Sequence, residues 1–102
     1  MTKPIADKAE IALEYPDKLY MGTFERSSRF AASLDATGIA LVLEHPGAED
    51  VRKSIHLHLN FGLFADILRD LASTVSRIPR GDIMHRDQLE QAVAELHKAL
   101  KN

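Results

Sequence analysis

The chain has 102 residues, no cysteine and a formal net charge of −2 at pH 7. This length matches one ordinary domain, and a hydrophobic fraction of 45% with a charged fraction of 27% is typical of a globular protein rather than a disordered tail or a membrane span. The lack of cysteine excludes disulfides, thiolate catalysis and cysteine-ligated metal sites. We therefore expect a single domain spanning residues 1–102.

The sequence gives no indication of a secretory signal or a membrane helix. Lys3 and Lys8 are followed by no apolar run, so the sequence predicts no secretory signal and a cytoplasmic location. The longest nearly uncharged apolar stretch, residues 39–43, is too short for a membrane helix, and no membrane partner is expected.

Two interpretations stay open for the structure of residues 1–17. Residues 9–15 fit either a strand or a short helix that ends at Pro16.

Residues 18–60 alternate between apolar and polar or small side chains, the period of strands with one buried face. Alternation is clearest in residues 54–60, where Ile55, Leu57 and Leu59 are interleaved with polar residues. The pattern predicts an antiparallel meander of four strands, with residues 9–15 as a fifth if they are extended. A glycine with positive φ, Gly38, is expected to close the hairpin after Asp35.

Residues 61–101 change to the helical period of about 3.6 residues. A first helix is predicted over residues 61–78, with Asn60 as its N-cap and Pro79 as its stop, and a second over residues 83–101. Each carries one apolar stripe. The fold class is therefore α+β: the meander is followed by two C-terminal helices that pack on one face of the sheet.

The shortest hairpin registers assign the alternating side chains to two faces of the sheet. Leu34 is expected opposite Ile39, and Leu41 opposite Ile55, on the face that the helices cover. On the other face, Glu44 is expected between Arg29 and Arg52 in a ladder of charges. Should residues 9–15 be a strand, Ile11 and Leu13 would add to that outer face.

The outer face is the predicted binding face. Its centre is small and apolar, with aromatic, charged and histidine side chains around it. Such a surface favours burial against a second subunit, and a protein partner of another kind is the second expectation. The predicted residues are Tyr20, Phe24, Arg29, Ala31, Val42, Glu44, Arg52, His56 and His58.

Two alternatives use the same face. His56 and His58 point the same way along a strand and form the one pair suited to a metal ion or small ligand, although a third ligand is missing. Tyr20 and Phe24 could stack the bases of single-stranded nucleic acid, but the net charge and Glu44 disfavour it. No phosphate loop or nucleophile motif occurs, so the sequence predicts a non-catalytic binding or assembly module without a cofactor.

Overall fold

The structure is a computed structural model that describes residues 2–47 and 52–102. The strands are β1 (Lys3–Pro4), β2 (Ala9–Tyr15), β3 (Lys18–Phe24), β4 (Arg29–Leu34), β5 (Gly38–His45) and β6 (Lys53–Asn60), and the helices are α1 (Phe61–Val75) and α2 (Arg86–Lys101). A short 3₁₀ turn at Arg80–Asp82 lies between the helices. An antiparallel sheet followed by two C-terminal helices confirms the α+β class.

The strands form two sheets rather than one meander. The larger sheet has four antiparallel strands in the order β1-β4-β5-β6, and β2 pairs with β3 in a separate two-stranded sheet. The segment 9–15 is thus a strand. The predicted neighbour of β4, the strand near residues 18–24, is instead paired with β2, and the two-residue strand β1 lies beside β4.

The connection before β4 shows why β3 does not continue the larger sheet. The backbone amide of Ser28 donates to the carbonyl of Glu25 at 2.8 Å, which closes a tight turn directly after β3. The carbonyl of Ser28 then accepts from the amide of Ile5 at 3.1 Å, so the N-terminal segment occupies the edge of β4. Both Ser28 and Ile5 are buried.

The predicted register is right for one hairpin and displaced in the other. Leu34 lies opposite Ile39, as predicted, whereas Leu41 lies opposite Leu57 instead of Ile55. The connection between β5 and β6 is not the shortest one possible, since seven residues, 46–52, separate the paired ends of these strands. A displacement of two residues keeps every side chain on its predicted face, since side chains alternate with a period of two.

The four-stranded sheet therefore has two distinct faces. We call one the leucine face; it carries Phe30, Ala32, Leu34, Ile39, Leu41, Leu43, Ile55, Leu57 and Leu59. We call the other the open face; it carries Arg29, Ala31, Ser33, Ala40, Val42, Glu44, Ser54, His56 and His58.

The chain divides into two compact units, residues 1–65 and residues 66–102. Among the described residues of the first unit, the buried apolar side chains are Ile5, Phe24 and Ile39. In the second unit, α2 and most of α1 contain no buried residue. The packing of the helices on the sheet, and the single domain it would create, stay predictions.

Both helices are shorter than the sequence indicates. Helix α1 begins as predicted, with Asn60 Oδ1 accepting from the amide of Leu63 at 2.8 Å. It ends at Val75, because the amides of Arg77 and Ile78 bond three residues back, a tighter turn than the α-helix. Helix α2 begins at Arg86, after His85 in the left-handed region with φ 58°.

Candidate binding face

Six of the nine predicted binding residues lie together on the open face. Together with Ala40, they form three rows of cross-strand pairs: Arg29 with Glu44, Ala31 with Val42 and His56, and Ala40 with His58. Opposed side chains on one face of an antiparallel sheet lie about 5 Å apart, so each row is a line of neighbours. The face was predictable because it depends only on the alternation of side chains and on sheet order.

The centre of the open face is built from small side chains. Ala31, Ala40 and Val42 are half-buried by their neighbours, whereas Ser33, His56 and His58 are exposed. A second protein surface can approach closely where side chains are this short. Histidine and serine around the centre offer hydrogen-bond donors and acceptors at its rim.

Arg29 holds the N-terminal segment rather than taking part in a charge ladder. Its Nε donates to Thr2 Oγ1 at 2.8 Å and its Nη2 to the Thr2 carbonyl at 2.7 Å. Glu44 lies opposite Arg29 and Ser54, and Arg52 precedes β6 as an exposed residue outside the strand. The predicted placement of Glu44 between Arg29 and Arg52 is therefore wrong, because the actual register moves Arg52 beyond the paired residues.

Tyr20 and Phe24 do not belong to the open face. Both lie in β3, which pairs with β2 and not with β4, so its surface does not continue that of the larger sheet. The Tyr20 ring packs edge-on against Tyr15, with centroids 6.1 Å apart. Phe24 is only 4% exposed, and the Nζ of Lys53 lies 4.9 Å from its ring centroid.

Lys53 stabilises the end of β3 from the edge strand β6. Its Nζ lies over the Phe24 ring and donates to the carbonyl of Thr23. A lysine leaning inward at a sheet edge discourages pairing with another edge, and the cation over an aromatic face is itself favourable. Both contacts depend on the position of β3, which brings Phe24 and Thr23 to the edge strand.

A hydrogen-bonded turn at one end of the open face was not recognised from the sequence as part of the site. Asp35 Oδ1 accepts from the Thr37 amide at 2.7 Å, the Thr37 hydroxyl at 2.9 Å and the Gly38 amide at 2.9 Å. Asp35 Oδ2 lies 2.9 Å from His58 Nε2. These hydrogen bonds, those of Thr37 first, hold the pKa of Asp35 well below its ordinary value.

The signal for this turn was present as Asp-Ala-Thr-Gly at residues 35–38. An aspartate that accepts from the amides two and three residues later forms an Asx turn, a common way to close a hairpin. Gly38 is needed for a different reason from the one predicted. It does not have a positive φ; a Cβ at this position would lie 2.0 Å from the carbonyl oxygen of Leu59 on β6.

The histidine pair is divided between two environments. His58 faces Asp35, with Thr37 Oγ1 at 3.4 Å, whereas His56 lies opposite Val42. Within residues 2–47 and 52–102, no group of three histidine, aspartate or glutamate side chains is placed to hold a metal ion. The two imidazoles share a face as predicted, and the structure adds a carboxylate to one of them.

An apolar cavity of about 310 Å³ lies in the first unit and has no charged residue in its lining. Ile11 of β2 lines it together with leucine-face residues such as Phe30 and Ile55, and with Ala31 and Val42. The expectation that Ile11 would add to the outer face is wrong, because β2 is not an edge strand of the four-stranded sheet.

No protein-family model, curated protein or solved structure matches the chain. Neither helix, within the part of the chain that the structure describes, is long and apolar enough to cross a membrane.

Proposed function

We propose that the protein is a small non-catalytic assembly module that acts as a homodimer in the cytoplasm. One observation carries the proposal: the centre of the open face is built from apolar side chains that the described structure leaves partly exposed. Ala31, Ala40 and Val42 are each only half-buried. A small apolar surface of this kind is suited to burial against the same surface of a second subunit.

The helices also have apolar surface to bury. Helices of 15 and 16 residues are marginal in water on their own, since most helical stability in proteins comes from packing an apolar stripe. Their stripes therefore need a surface to pack on, either the sheet of the same chain or another molecule.

The contact proposed for the dimer is the open face. A two-fold axis near Val42 would bring Ala31 and Ala40 of the two copies together, and the same patch would serve on both subunits. His56 and His58 would lie around the small centre, as polar residues lie around the core of an interface. This arrangement uses four of the six predicted open-face residues, Ala31, Val42, His56 and His58, together with Ala40.

The test is the particle mass of Val42→Asp and Ala31→Asp, measured by native mass spectrometry. A carboxylate buried in an apolar contact is costly, so each variant should halve the mass of the wild-type assembly while its circular dichroism stays unchanged. Ala36→Asp, in the exposed turn between β4 and β5, is the matched control and should keep the wild-type mass. Folded Val42→Asp and Ala31→Asp proteins of unaltered mass would contradict the proposed contact.

The two alternatives receive less support. A metal or small-ligand site at His56 and His58 would have to compete with Asp35 for His58 Nε2. Stacking of single-stranded nucleic acid required Tyr20 and Phe24 on the open face, and both are elsewhere. The assembly proposal depends on neither pair.

A further inference from the structure

Helix α2 carries an apolar stripe with the spacing of a two-stranded coiled coil. Leu89, Val93, Leu96 and Leu100 are separated by four, three and four residues. These are alternating d and a positions of a heptad, the pattern in which one helix packs along another. They are 52%, 55%, 40% and 72% exposed, so this seam is not covered by the described part of the second unit.

The charges of α2 favour a particular partner. Residues 86–93 contain one arginine and two acids, a net charge of −1, and residues 94–101 contain one glutamate and two lysines, a net charge of +1 with histidine neutral. This polarity suits the dipole of the helix, and it also makes α2 complementary to an antiparallel copy of itself. A parallel copy would align like charges.

The positions beside the seam agree with the antiparallel direction. Pairing Leu89 with Leu100, and Val93 with Leu96, places Glu90 of one copy near His97 of the other. On the opposite side of the seam, Ala92 and Ala99 are small enough to let the two backbones approach closely. Glu90 and His97 are both exposed in the described structure.

We propose that α2 forms a second contact between copies of the chain, an antiparallel pair with α2 of another molecule. This inference goes beyond the proposed dimer, because α2 and the open face are different surfaces. Two separate contacts that each relate identical patches generate an assembly larger than a dimer, and four copies close it when the two axes cross at right angles. The full chain should therefore have about four times the 11.4 kDa mass of one copy.

Mutations separate this contact from the open face. Leu96→Asp should halve the mass of the wild-type assembly, Val42→Asp should also halve it, and the double variant should be a folded species of 11.4 kDa. An unchanged mass for Leu96→Asp would overturn the α2 contact and leave the proposed dimer standing. An unchanged mass for Val42→Asp alone would overturn the open-face contact and leave the α2 pair standing.

Crosslinking tests the direction of the pair and does not depend on a disruptive substitution. Because the chain has no cysteine, each Leu89→Cys or Leu100→Cys variant carries a single thiol. A mixture of the two should give the heterodimeric disulfide under mild oxidation, several-fold faster than either variant gives a homodimer. Gln91→Cys, away from the seam, is the control and should crosslink slowly in every mixture.

Two results would overturn the antiparallel pair. Faster crosslinking of each variant with itself would show a parallel arrangement. Equal, slow crosslinking of all mixtures would show that α2 does not meet its copy.

Discussion

At the residue scale, Asp35 organises the turn at the end of the open face. Its carboxylate accepts three hydrogen bonds from Thr37 and Gly38 and lies beside His58. The pKa of Asp35 is lowered from the ordinary 3.8, chiefly by the Thr37 amide and hydroxyl. The folded state therefore prefers the ionised form, and Asp35 stabilises the fold at pH values above 3.8.

The lowered pKa of Asp35 predicts how the stability of the protein changes in acid. The stabilisation from Asp35 is lost as the pH falls below 3.8 toward the lower pKa of the folded state. The free energy of unfolding of wild type should decline more steeply than that of Asp35→Ala in this range, as measured by urea titration at several pH values. Asp66→Ala removes a carboxylate from an exposed pair with Arg69 and should keep the wild-type slope. Identical slopes for wild type and Asp35→Ala would contradict this role.

Gly38 lies where the structure leaves no space for a larger side chain. A Cβ at this position would lie 2.0 Å from the Leu59 carbonyl oxygen and 2.7 Å from the Asn60 Cα, and backbone atoms cannot move aside cheaply. Gly38→Ala should lower the free energy of unfolding by about 1–3 kcal/mol, the usual cost of overpacking. Gly22→Ala is the control, because nothing lies within 4 Å of its Cβ position. Equal stability of the two variants in denaturant titration would contradict the close approach of β5 and β6.

At the scale of elements, the junction from β6 to α1 depends on one side chain. Asn60 ends the strand opposite Gly38, and its Oδ1 accepts from the Leu63 amide in the first turn of the helix. Asn60→Ala should lower the free energy of unfolding by about 1 kcal/mol, whereas Asn60→Asp, which keeps the acceptor, should stay near wild type. A loss that is equal in both variants, measured by thermal or urea unfolding, would show that the cap is not the cause.

The sequence was sufficient to predict the two faces of the larger sheet but not the partner of β3. The alternation of side chains in residues 29–34, 38–45 and 53–60 was sufficient to assign the two faces, even though the pairing of Leu41 was displaced by two residues. The partner of β3 was not predictable in this way. It is determined by the turn at Glu25 and Ser28 and by the strand identity of residues 9–15, which composition left open. The prediction that Tyr20 and Phe24 belong to the open face is wrong for this reason.

At the scale of the whole molecule, composition and the exposure of apolar side chains both favour self-assembly. A hydrophobic fraction of 45% is ordinary for a domain that buries its apolar residues, but Met21 and Leu100 are 76% and 72% exposed. The sequence predicted that the open face would make the contact between subunits. It did not indicate the second candidate surface on α2, because an apolar helical stripe alone is equally typical of a helix packed on its own sheet.

Native mass spectrometry of the purified full chain, alone and as Val42→Asp, tests the central claim of self-assembly most directly. We expect a wild-type particle whose mass is an even multiple of 11.4 kDa, and a Val42→Asp particle of half that mass with unchanged circular dichroism. A wild-type protein of 11.4 kDa at micromolar concentration would contradict it.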